Sequence, residues 1–190
     1  MESLRVGDRV LTRDHGEQVI RWTGARVLAL DGPEDVAALF APIRLRAGCL
    51  GPNVPACDLL VSPMHRVVIR HPLVALLTGS DEVLCPARLL LNGTTVMQDR
   101  VAEVSYHHLL FDRHEVLRSH GCDSESFYPG ELGLDGFGAG TREEVLTLFP
   151  ELRSLAHAYG PTARRVTKRH EALILADRLA RAARPGDKAA

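Results

Sequence analysis

Asp58-Leu59-Leu60-Val61-Ser62-Pro63-Met64-His65-Arg66-Val67-Val68-Ile69 sets two apolar, β-branched runs on either side of a Ser-Pro-Met-His corner. Runs of this kind bounded by turn residues predict a strand, a sharp bend and a second strand. Pro63 fixes φ at the bend, so the Ser62 hydroxyl and the His65 ring, three residues apart, can face one point. An imidazole held there can give a proton to a departing amine or take one from a nucleophile. The plainer alternative is a turn histidine that only satisfies nearby backbone.

Working outward toward the N-terminus, the loop Gly48–Pro55 precedes the corner, and Ile43-Arg44-Leu45-Arg46-Ala47 alternates with period two, as a half-buried strand does. Further back, Leu4–Thr12, the turn Asp14-His15-Gly16-Glu17 and Val19–Gly24 predict a hairpin. Val27–Leu30 extends the sheet and Asp31–Asp35 breaks it. On the other side of the corner, Leu73–Leu77 and Asp81–Leu84 read as short strands. Ala87–Leu91, closed by Asn92-Gly93, returns through Thr94–Met97. Val101–Tyr106, His107–Phe111 and His114–Leu117 follow. Roughly ten short strands with turns every 8–12 residues predict an all-β body over residues 1–128.

Residues 129–140 hold five glycines and predict a linker. Residues 141–190 predict a helical C-terminal extension. Thr141 to Glu144 has the form of a capping box. Val145, Leu148, Phe149, Leu152, Leu155 and Tyr159 form the stripe of a core-facing helix, interrupted by Pro150 and ended by Gly160. Residues 168–182 predict a last helix, and Arg184–Ala190 a disordered end.

A net charge of −1 gives no case for a nucleic-acid or membrane partner. The charge is uneven: residues 1–140 carry 13 basic and 18 acidic side chains, residues 141–190 carry 10 and 6. A helical face leaning on an acidic body explains this without a partner. Cys49, Cys57, Cys85 and Cys122 lack C-x-x-C or short zinc-ligand spacing, so four buried, reduced, inert thiols are expected. With no apolar run near the ~20 residues of a membrane span and no signal peptide at Met1–Arg5, the chain as given is expected in the cytoplasm, unless a parent protein is exported.

Besides His65, the residues capable of chemistry are Tyr106-His107-His108 and Asp112-Arg113-His114. On a strand His107 and His108 point to opposite faces, so at most one shares a site with His65. His65, His114 and one of that pair could hold zinc by residue type, but the spacing gives no metal signature, and no metal or cofactor is expected.

The body resembles a Hint domain, the hedgehog/intein self-processing module, in its bacterial form. E-S-L-R-V-G-D-R-V-L-T-R-D-H-G-E-Q-V-I-R-W-T-G is similar to the V-G-D-x-V hairpin and the I-R-W-x-G continuation of that family. L-L-V-S-P-M-H-R-V resembles the intein B block, with Ser62 and His65 at its Thr-x-x-His positions. Y-H-H-L-L-F-D-R-H-E-V-L-R-S-H-G and the following E-S-F resemble the F block. His114 holds its histidine position, and His107 or His108 falls where inteins often carry Asp. The resemblance covers residues 2–128, and P-T-A-R-R-V-T-K-R-H-E-A-L is similar to the tails of bacterial Hint proteins.

That resemblance implies a Hint β-fold of short, mostly antiparallel strands, with His65 near His114 and one of His107 or His108. It also implies an activity. A Cys or Ser opening the domain attacks the preceding carbonyl, the B-block histidine protonates the departing amine, and the residue at the Ser62 position orients the strained peptide. The chain departs from the pattern twice. The strand that carries the nucleophile is absent, and Asn53 and Asn92, the only asparagines, are internal. Cleavage is therefore expected to be inactive in this chain, and splicing excluded. The implied partner is a flanking domain of a longer precursor. A degenerate Hint module that only binds, with the basic tail as its docking surface, remains the alternative, and a metal hydrolase built on the histidines is a third.

Overall fold

The computed structural model describes residues 1–129, 139–153 and 159–182. Along them run β1 (Arg9–Thr12), β2 (Gly16–Val19), β3 (Trp22–Ala29), α1 (Glu34–Phe40), β4 (Ile43–Leu45), β5 (Leu59–Val61), β6 (Arg66–Arg70) and α2 (Pro72–Thr78). These are followed by β7 (Glu82–Pro86), β8 (Val96–Gln98), β9 (Glu103–Leu110), β10 (Val116–Ser119), β11 (Cys122–Glu125), α3 (Ala139–Leu148) and α4 (Arg169–Ala182). The protein is mostly β. Among the described residues the strands form four small sheets, in the orders β1-β2, β10-β11-β6-β7, β3-β9 and β5-β4-β8.

Strand position explains the sequence patterns. β6 lies between β11 and β7, so Val67, Val68 and Ile69 are all buried and the polar alternation of an edge strand is absent. Arg70 and Glu82, paired across the β6–β7 ladder, close its end with an ion pair at 2.6 Å. β4 is likewise central: Ile43 pairs with Val61 on one side and Gln98 on the other. Its Ile43 and Leu45 face the core, while Arg44 on the opposite face bonds Asp99 and Asp58.

Several expected elements are corrected. Leu73–Leu77 belongs to helix α2, not to a strand. A short apolar run does not distinguish the two; the ends do. Pro72 opens the helix, the His71 ring accepts from the Leu73 N–H at 3.1 Å, and Gly79 closes it in the left-handed region at φ 71°. Asp31–Asp35 does more than break the sheet, because α1 begins within it at Glu34. The returning hairpin strand ends at Val19, earlier than expected. Ile20 still bonds across the hairpin, donating to the Asp8 carbonyl and accepting the Gly7 N–H, and Arg21 then donates to the Leu110 carbonyl. β3 then starts at Trp22, and the expected strand pair 101–106 and 107–111 is one strand, β9.

The chain divides into two compact units: Met1–Arg26, His107–Leu117 and Glu125–Ala163 in the first, and Val27–Tyr106, Arg118–Ser124 and Arg164–Ala190 in the second. In the first, Trp22, Leu110, Val145, Leu146, Phe149, Leu152 and Tyr159 form a core beside a smaller cluster of Ile20, Leu109 and Phe111. A Cβ built on Gly24 would lie 2.0 Å from Cη2 of the buried Trp22 indole. Residues two apart share a strand face, so the W-x-G spacing makes room for that ring.

The C-terminal stripe is buried as expected at Val145, Phe149, Leu152 and Tyr159, but Leu148 is exposed and Leu146 takes its place. The buried face is centred on Val145, Leu146 and Phe149, which leaves Leu148 at its edge; α3 ends at Leu148 and a 3-10 turn (Pro150–Arg153) follows. α3 also begins at Ala139, two residues before Thr141, so Thr141 is not its N-cap. Leu155, most of the expected linker and the expected disordered end lie outside the described residues. In the second unit, α4 lays Ala172, Leu175, Ala176 and Leu179 onto a core that includes Leu45, Val67, Ile69 and Cys85. This i, i+3, i+4, i+7 stripe is that of an amphipathic helix. Part of the tail's positive charge is paired among the described residues: Arg164 with Glu82, Arg165 with Glu171, and Arg181 with Asp177. Among the described residues no helix is long and apolar enough to cross a membrane.

Candidate functional site

Ser62 to His65 is a turn between β5 and β6, closed by the His65 N–H donating to the Ser62 carbonyl at 3.1 Å. The turn is tied to the chain after β7 twice more. Ala87 donates to the His65 carbonyl at 2.9 Å and Arg88 to the Pro63 carbonyl at 3.0 Å. Pro63 is buried, Met64 is exposed, and the Ser62 and His65 side chains are half-buried. Both flanking strands are registered in sheets, β5 on β4 and β6 on β7. The imidazole is therefore carried on a backbone pinned at four points, a precondition for directed proton transfer.

His114 lies between β9 and β10 with its side chain fully buried. Its Nε2 is 3.2 Å from the Ser126 carbonyl and 3.3 Å from a Glu125 carboxylate oxygen. Its Nδ1 accepts the backbone N–H of Ala163 at 3.0 Å, and the Tyr128 ring packs 5.1 Å away. Both ring nitrogens are thus occupied. His107 and His108 lie on β9, both half-buried. Nε2 of His107 is 3.7 Å from a Glu2 carboxylate oxygen, and His108 meets Phe127 edge-on at 5.3 Å. Ser62 and His65 belong to the second unit, and His107, His108 and His114 to the first.

Three groups that the sequence did not single out join the His114 surroundings. Glu115 is buried, and both of its carboxylate oxygens bond Nδ1 of the exposed His15, at 2.8 and 3.1 Å. Ser126 accepts the Glu115 N–H on its hydroxyl and donates its own N–H to the Glu115 carbonyl, which locks the backbone beside His114. The third is the Ala163 amide. The partners are about 100, 11 and 49 residues apart in sequence, so no local pattern marks them. The F-block resemblance covered both H-E at 114–115 and E-S-F at 125–127 without giving Glu115 or Ser126 a role.

The cysteines divide differently from expectation. Cys49, Cys85 and Cys122 are buried, while Cys57 is exposed. Its neighbours Pro52, Asn53 and Ala56 form a surface loop rather than a core strand. Burial pushes the Cys49 thiol up to about 12, with the nearby Cys122 thiol adding to it. Cys122 is raised to about 12, and Cys85 to about 11, by the same loss of solvent. Thiols held this far above neutrality are poor nucleophiles. Among the described residues, no three His, Cys, Asp or Glu side chains converge to hold a metal ion.

A family model described as Hint domain matches residues 1–131. No curated protein and no solved structure matches the chain.

Proposed function

Because the chain belongs to the Hint domain family, we propose that it is a self-processing module that breaks a peptide bond joining it to a flanking polypeptide. The observation that carries this reading is the Ser62–His65 turn, whose hydroxyl and imidazole ride on a backbone pinned by Ala87 and Arg88. His65 acts as general acid. A thiol on the residue following the scissile bond loses its proton to solvent and attacks the carbonyl carbon, the C–S bond forms, the C–N bond breaks, and the proton from His65 goes to the departing amine. Ser62 orients the peptide. The family resemblance gives His114 and one of His107 or His108, all in the first unit, a part in proton handling.

None of the four cysteines supplies the attacking group. Three are buried and raised to about 11 or 12, and Cys57 lies in a loop well inside the chain. Asn53 and Asn92 both belong to turns, Asn53 at φ 56° and Asn92 accepting the N–H groups of Thr94, Thr95 and Val96 on its side chain. Their place is structural, which disfavours splicing by asparagine cyclisation. Residues 1–190 alone are expected to stay intact under thiol treatment.

The test joins a reporter to the chain through a segment that starts with Cys and continues as a strand into Glu2. Dithiothreitol is expected to release the reporter. His65→Ala should slow release by about 10²–10⁴, whereas Cys57→Ala should leave it unchanged. Release at the parental rate from a folded His65→Ala protein overturns the reading.

A further inference from the structure

The ring of His114 is held between one group that can only donate and one that can only accept. The Ala163 N–H points at Nδ1 from 3.0 Å, so that nitrogen presents a lone pair. The Ser126 carbonyl lies 3.2 Å from Nε2, with the Glu125 carboxylate at 3.3 Å, so the ring proton belongs on Nε2. With the side chain fully buried, water does not compete for either nitrogen.

Ala163 is not held by this bond alone. The Tyr159 hydroxyl donates to the Phe111 carbonyl at 2.7 Å, and the Tyr128 hydroxyl donates to the Gly160 carbonyl at 2.8 Å. Tyr159 is buried, and its loss of solvent pushes the phenol well above its usual range, so the hydroxyl stays a donor. Gly160, at φ 91°, turns the chain between these anchors and Ala163. The four residues that follow Tyr159 thus form a strap whose last amide reaches the imidazole.

We infer that the backbone amide of Ala163 is a positioning group that fixes His114 as the tautomer with its proton on Nε2, and that Tyr159–Ala163 is the strap that delivers it. A segment beyond residue 131, where the family match ends, therefore sets the state of a histidine within it. A histidine so fixed is a proton donor at Nε2 and cannot accept a proton at Nδ1 while the strap is in place. That consequence for catalysis rests on the self-processing reading; the tautomer does not.

Long-range ¹H–¹⁵N correlation on labelled protein, with the ring assigned by its loss in His114→Gln, reads the two nitrogens directly. The expected spectrum has an unprotonated Nδ1 and a protonated Nε2. Ala163→Pro removes the N–H and leaves the partners of Nε2 as the remaining bias, so the two signals should move toward each other, whereas Ala163→Gly keeps the N–H and the parental spectrum. A proton on Nδ1 in the parent, or an unchanged Nε2–H spectrum in folded Ala163→Pro, overturns the inference. If Ala163→Pro does not fold, Tyr159→Phe decides: loosening the strap should begin to mix the signals, and an unchanged spectrum overturns the inference. In the Cys-extended protein, Ala163→Pro should release the reporter about tenfold or more slowly than Ala163→Gly. Converging signals with unslowed release leave the positioning intact and sink the catalytic reading of His114.

Discussion

At Gly24 the constraint is steric rather than conformational. A Cβ there would meet Trp22 at 2.0, 2.4 and 2.9 Å, all on the six-membered ring. The ring cannot swing aside easily, because it is buried in the first unit's core and packs 5.8 Å from Phe127. Gly24→Ala is expected to destabilise by about 1–3 kcal/mol, the range for overpacking, read by urea denaturation. Trp22→Phe combined with Gly24→Ala should cost less than the sum of the two single changes. Full additivity would show that the indole does not cause the penalty. This residue was legible in outline, since W-x-G places both positions on one strand face. The Ser62–His65 corner was legible because a turn is specified by its own four residues. The setting of His114 was not: its neighbours come from Ser126, Tyr128 and Ala163, which no pattern within reach of residue 114 reveals.

Among the elements, α4 shows how a helix start is built from charge. The Glu171 carboxylate accepts the Lys168 N–H at 2.7 Å and the Arg165 guanidinium at 2.6 and 2.9 Å. The Arg165 hydrogen bond, with that of Lys168, holds its carboxyl down to about 2 against the opposing effect of desolvation. Because the folded value lies below the unfolded one, the unfolded state binds more protons across this window. The contribution is complete above about 4.5 and is lost as pH falls toward about 2. Glu171→Gln should therefore lower stability by about 1–3 kcal/mol at pH 7, and the gap to the parent should close on acidification through that range. A gap that stays constant to pH 2 would exclude the ionised carboxylate as the cause. The long periodic α4 was readable from Ala172, Leu175, Ala176 and Leu179, whereas the seven-residue α1 and α2 were not. In a short apolar run, strand and helix differ only in what caps the ends, as His71, Pro72 and Gly79 do for α2.

At the scale of the molecule, each unit keeps a core assembled from three separated stretches of chain, and each includes residues beyond 140. Deleting residues 141–190 is therefore expected to lower the melting temperature sharply, since each large buried apolar side chain contributes about 1.5–3 kcal/mol. An unchanged melting temperature would mean the tail is a dispensable arm. Native protein should show one thiol accessible to a disulfide reagent, lost in Cys57→Ala, with Cys49, Cys85 and Cys122 reacting on unfolding; fast reaction of more than one would contradict their burial. The mostly β body was legible at this scale because turn spacing is a property of the whole sequence. The interleaving was not, since it depends on contacts between distant stretches. That interleaving sets a timetable for synthesis. A nascent chain arrested at residue 140 has made the strands but holds neither Val145 and Phe149 for the first core nor Leu175 and Leu179 for the second. It should be cut readily by protease and captured by chaperones on the ribosome, and protection should appear only once the stretch through Leu179 has left the exit tunnel.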